Sequence, residues 1–122
     1  MMERAEQRNK ALKKASKIKS DRVKDREKMK NMAADQCIAY ITDLLVTQPD
    51  TWCNATVKNF LGSIPGLSDA RMRKILANKV STSTIIRNLD PSQITLLLQN
   101  INKYAYIWID ANYRRRNTSQ VV

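Results

Sequence analysis

Residues 60–98 read FLGSIPGLSDARMRKILANKVSTSTIIRNLDPSQITLLL, two helical patterns divided by a connection, and this stretch decides the fold. Ile64-Pro65 ends the helix before it, because proline disfavours the α region for the residue it follows. Gly66 then takes φ > 0 without steric cost. Ser68 stands where an N-cap belongs, ahead of a helix opening at Asp69-Ala70. Leu67 and Met72 sit at the N′ and N4 positions around it, the spacing of a hydrophobic staple. Ile75 and Leu76 turn inward. Arg71 and Lys74, three apart, share an outer face. Arg73 lies on another face, where surface charge explains it as well as ligation does. Outward-pointing amides at a helix start, with cations alongside, suit a phosphate group. Pro65, Gly66, Leu67, Ser68, Arg71, Arg73 and Lys74 are therefore candidate ligands of a nucleic-acid backbone.

The second half of the stretch begins with a polar connection from Asn78 to Asn88, in which Ile85-Ile86 suggests one helical turn. Arg87 adds a cation there. Asp90 as N-cap, Pro91 at N1 and Gln93 at N3 form a capping box, stapled by Leu89 and Ile94. Ile94, Leu97, Leu98, Ile101, Ala105 and Trp108 then keep one helical stripe for four turns. Residues 104–110 alternate closely enough for a strand, but no break precedes them, so the helix is expected to continue.

Working outward, Ala34, Cys37, Ile38, Ile41, Leu44 and Leu45 make 33–47 a core helix. Residues 47–51 are turn chemistry, with Trp52 placed at the edge of the core. Asn54 is expected to cap a helix carrying Val57, Phe60, Leu61 and Ile64. Towards the N-terminus, residues 3–30 hold 12 of the 22 lysines and arginines against five acids. Helix propensity there is high, yet Leu12, Ile18, Val23 and Met29 form no continuous stripe. A basic arm is expected, weakly ordered alone and firmer when phosphates neutralise it. Lys13, Lys17, Arg22 and Arg26 are its candidate DNA ligands. A solvated charged helix or coiled-coil strand is the alternative.

The chain carries a net charge of +11 and a pI near 10.0, which favours an anionic partner. It contains no histidine, so histidine acid–base, triad and zinc chemistry are excluded. Cys37 and Cys53 are the only cysteines and are expected to be reduced, buried small hydrophobes of a cytoplasmic protein. No signal core or membrane span is read. No cofactor is expected.

The runs IPGLSDARMRKIL and RNLDPSQITLL resemble the helix–two-turns–helix motif of the actinobacterial integration host factors, a ribosomal small-subunit protein and certain DNA glycosylases. The order of a basic N-terminal helix, a short helical segment and a helix ending in a Pro-Gly turn is most similar to the integration host factors. That likeness extends over roughly residues 4–101, with its specific part within 60–98. Pro65, Gly66, Arg71, Lys74 and Arg87 match the family pattern. Ser68 replaces a glycine, Asp69 a basic residue, and Thr84 and Ile85 two arginines.

The patterns together read as an all-α protein, and the resemblance implies one that grips double-stranded DNA by its phosphates. Because most candidates are phosphate ligands, which position without specifying, sequence specificity is expected to be weak. The resemblance also implies bending, association with the nucleoid, and partnership with recombinase or integrase complexes. A ribosomal or structured-RNA binder is the alternative from the same motif. An enzyme is not expected, since the glycosylases depend on an N-terminal catalytic residue and a zinc segment that Met1-Met2-Glu3 and two cysteines do not supply. The organisation expected is a basic arm over 1–32, a helical DNA-binding domain over 33–113 with the motif at 60–98, and a basic tail over 114–122.

Overall fold

The computed structural model describes residues 2–120, with side chains over 5–116. Among them the chain is helical, with no strand beyond an isolated antiparallel bridge between Thr56 and Ile85. The helices are α1 (Met2–Lys30), α2 (Ala34–Thr47), α3 (Asp50–Cys53), α4 (Val57–Gly62), α5 (Asp69–Leu76), α6 (Pro91–Asn100) and α7 (Tyr106–Gln120). None is long and apolar enough to cross a membrane.

All six apolar positions expected of α2 are buried. The helix stops where Gln48 enters the left-handed region at φ 47° and donates its N–H to the Leu44 carbonyl, the usual way of satisfying a last-turn carbonyl. Pro49 follows and forbids further helix. The next turn, α3, carries a correction. Trp52 is fully buried at the centre of the core, not at its edge. Its ring meets Phe60 edge-on, with centroids 5.5 Å apart, and its indole N–H donates to Asp25 Oδ2 at 2.7 Å.

A second correction concerns the start of α4. Thr56, not Asn54, is the N-cap: its hydroxyl oxygen accepts from the Asn59 N–H at 3.1 Å. Asn54 closes α3 instead. The two-residue shift follows from the connection after α5, which pairs with this entry. Ile86 N–H donates to Ala55 O (2.9 Å), Val57 N–H to Thr84 O (2.8 Å) and Lys58 N–H to Thr82 O (3.0 Å). Thr56 is held extended among these bonds, at φ −73° and ψ 154°, so the helix begins only after it. Ile86 itself is buried in a 3₁₀ turn over Ile86–Asn88.

α5 starts as expected, with Ser68 Oγ accepting from the Arg71 N–H at 3.4 Å and with Met72, Ile75 and Leu76 buried. It ends on two left-handed residues, Ala77 and Asn78. The capping box at α6 is complete: Asp90 Oδ1 accepts from Gln93 N–H at 2.8 Å, and Gln93 Oε1 accepts from Asp90 N–H at 3.1 Å. Hydrogen bonds from the Ser92 hydroxyl and the Gln93 N–H hold the Asp90 carboxyl below its ordinary value of 3.8.

α6 runs through a π-helical turn over Ile101–Ala105 directly into α7. The reason lies in the spacing of the buried residues Leu97, Ile101, Ala105 and Ile109. Steps of four drift by about 40° each in an α-helix. A wider π turn takes up that drift, so all four face the core. The helix expected over 104–110 forms and continues further. Arg114, Arg115 and Arg116 belong to α7 and are not a separate tail; residues 121–122 of that expected tail lie outside the described residues.

α1 departs from the expectation of a loosely attached arm along its C-terminal half. Met29 is 1% exposed. Asp25 accepts from Trp52 and also from the Tyr40 hydroxyl at 2.8 Å. Arg22 Nε donates to the Thr51 carbonyl at 2.7 Å while its guanidinium lies 5.5 Å over the Trp52 ring. Arg26 Nε donates to Ser63 Oγ at 3.0 Å. Residues 5–17, by contrast, are all exposed. Both cysteines are free thiols; Cys37 is buried, and burial pushes its thiol up to about 11, whereas Cys53 is only half-buried, against the expectation for it.

Candidate nucleic-acid interface

The corner between α4 and α5 is built from the chain outward. Ile64 is buried and anchors it; Leu67 N–H closes the turn on the Ile64 carbonyl at 3.3 Å. Gly66 adopts φ +85°. A side chain there would be strained by that angle alone. It would also collide, because a Cβ on Gly66 would lie 2.6 Å from the Trp108 carbonyl oxygen. The glycine is thus required by the close approach of α7. Pro65, Gly66 and Leu67 are half-buried, and Ser68 is exposed. The corner is neither bare nor sealed.

Arg71 and Lys74 share a face, as their spacing dictates, and that face meets the rings of the last helix. The Arg71 guanidinium lies 5.2 Å from the Trp108 ring centroid and donates through Nη1 to the Gly66 carbonyl at 2.7 Å. Lys74 Nζ lies 4.6 Å from the centroid of Tyr104, which Lys103 approaches at 5.3 Å. The two rings are nearly parallel, 18° apart in plane and 6.4 Å between centroids. Such contacts stabilise by about 0.5–1 kcal/mol each at exposed sites. Their larger effect here is to fix the direction of long, exposed cations beside the corner. Asn100 reinforces the junction by donating its amide to the Ile75 carbonyl at 2.7 Å, a last-turn acceptor of α5.

The other candidate residues are distributed differently. Arg73 is exposed and lines a shallow hollow with Lys58, Asp69, Met72 and Thr82. Arg87 is exposed on the 3₁₀ turn. Lys13 and Lys17 lie on the exposed half of α1. Arg22 and Arg26 are half-buried, with each Nε donating to the domain itself. They fasten α1 to the core, which accounts for both without a nucleic-acid ligand.

Around the corner the fold assembles residues that sequence spacing could not bring together. A hollow of about 360 Å³ is lined by Lys30, Pro65, Gly66, Asn112 and Arg116. Arg116 donates through Nη1 to the Lys30 carbonyl at 3.4 Å. The i, i+4 spacing of Tyr104 and Trp108 was available in the sequence as a shared face. Which cations that face would meet was not, since it depends on how the helix running from α6 through the π turn into α7 lies against α5. No family model matches the chain, and no match is found among curated proteins or solved structures.

Proposed function

We propose that this chain is an architectural double-stranded DNA-binding protein, akin in design to the integration host factors. In this reading α4, the Pro65–Gly66 corner, α5 and the capped α6 form a helix–two-turns–helix unit preceded by a long basic helix. The observation that carries it is the corner itself: a half-exposed turn flanked by Arg71 and Lys74, each held in place by an aromatic ring. Preorganised cations lose little freedom on meeting phosphate. The exposed half of α1, with Lys13 and Lys17, gives a second run of contacts along the duplex. Phosphate ligands position without specifying, so sequence preference is weak. Two contact regions on one duplex favour a bent path, the trait that suits a nucleoid-associated protein or an accessory of an integrase complex.

A second reading has its own support. Tyr104 and Trp108 are half-exposed rings among cations, a composition that also suits unpaired bases of structured RNA. Gel shifts with duplex DNA and structured RNA of equal length, at matched salt, separate the two. Tighter retention of duplex is expected. Tighter retention of RNA transfers the proposal to the second reading.

A further inference from the structure

The hollow beside the Pro65–Gly66 corner is walled by helices far apart in the chain. Lys30 is the last residue of α1, and Arg116 lies in α7. Their contact, from Arg116 Nη1 to the Lys30 carbonyl, spans 86 residues. Asn112 stands one turn before Arg116, and its Cβ is 3.5 Å from the position a Gly66 Cβ would take. Gly66 thus lets α7 close on the corner, and the closure brings Asn112 and Arg116 to the rim that Lys30 shares. Two cations meet over a concavity here, which focuses positive potential more than a convex helix face does. Lys30 pairs with Glu27, whose Oε1 lies 3.1 Å from Lys30 Nζ, with both side chains about half exposed to water. Such a surface pair is weak and yields to a phosphate.

We propose that this hollow seats one phosphodiester of a bound strand. Lys30 supplies a point charge, Arg116 a planar guanidinium matched to phosphate oxygens, and Asn112 a neutral amide donor. The proposal rests on the DNA-binding reading and deepens it. The strand then passes the corner on the side of α1 and α7 as well as past Arg71, so the basic helix and the last helix grip the same backbone.

The test is duplex affinity of the full-length protein across a salt series, read by fluorescence anisotropy. K30Q and R116Q are each expected to flatten the log–log salt slope by about 0.9, the loss of one phosphate contact. R116K keeps the charge and the slope. K79Q removes an exposed cation outside the hollow and leaves the slope unchanged. Equal flattening in K79Q, or none in K30Q and R116Q, overturns the seat while duplex binding itself stands. Inorganic phosphate provides an arm independent of DNA: it is expected to shift the Gly66 and Asn112 amide resonances of the wild type, and not those of the K30Q/R116Q double variant. Failure of the wild type to bind any duplex overturns the proposed function, and the phosphate titration then decides the seat alone. Unmoved Gly66 and Asn112 resonances overturn it.

Discussion

Asp25 joins the first helix to the core through two donors, the Trp52 indole at 2.7 Å and the Tyr40 hydroxyl at 2.8 Å. Asp25→Ala leaves both without that acceptor. The expected cost is about 2–3 kcal/mol, seen as a lower urea midpoint at unchanged slope. Tyr40 reports on the same bond. Burial first, then the hydrogen bond to Asp25 and the charges of Asp25 and Asp43, push its phenol from 10.0 up to about 12. A group with a raised folded value contributes stability below its unfolded value and loses it as pH rises through the folded one. That contribution is therefore intact below pH 10 and lost between 10 and about 12. One of the four tyrosines should ionise late in an alkaline ultraviolet titration, and earlier in Asp25→Ala. In the sequence Asp25 is one acid among lysines; its partners lie 15 and 27 residues away, beyond any local pattern. Gly66 is the opposite case. The Pro-Gly pair announced its turn, but what the glycine accommodates, the Trp108 carbonyl, required the fold. Gly66→Ala should lower stability by about 2 kcal/mol or more, from the left-handed angle and the collision together, measured by thermal unfolding.

The helices with continuous apolar stripes or strong caps were readable one by one. α2, the Ser68 cap of α5 and the Asp90 box of α6 follow from residues within four positions of each other, the range over which sequence patterns act. The inner half of α1 is not legible in this way, because stripe counting weighs apolar positions. That half is held by Met29 and by the polar side chains of Arg22, Asp25 and Arg26, residues that look like solvated charge. The helix therefore divides into two parts with different roles, and truncation separates them. Removing residues 1–17 takes away only the outer part, so duplex affinity should fall strongly while the melting temperature holds. Removing residues 1–30 also takes Met29 and Asp25 from the core, so cooperative melting should weaken or vanish. Equal melting of the two truncations, followed by circular dichroism, would deny the core any hold on α1. The seam between α5 and the last helix separates in a similar way. Tyr104→Leu removes a ring from Lys74 without changing charge, so it should lower stability by about 0.5–1 kcal/mol and leave the salt slope of binding intact.

For the whole molecule the deciding quantity is charge that is not neutralised internally. The net charge is +11, and ion pairs among the described residues, such as Lys30–Glu27 and Arg114–Asp110, lie at the surface. Lys13, Lys17, Arg71, Arg73, Lys74 and Arg87 are all exposed. If these form the phosphate contacts, their release of counterions sets a log–log salt slope of about −5, to which Lys30 and Arg116 in the proposed seat add about −2. Raising salt from about 50 to about 200 mM should then weaken duplex binding by at least about 10³-fold. Base-edge contacts would add a preference of about 1–3 kcal/mol per bidentate pair; phosphate contacts add none. Duplexes of equal length and scrambled sequence should therefore bind within a few-fold of one another, with the same slope. Arg71→Ala should flatten that slope by about one on every duplex alike, measured by anisotropy at several salt concentrations. A slope near zero, or one sequence bound a thousandfold more tightly than the rest, would place the affinity in groups other than these cations and remove the architectural reading.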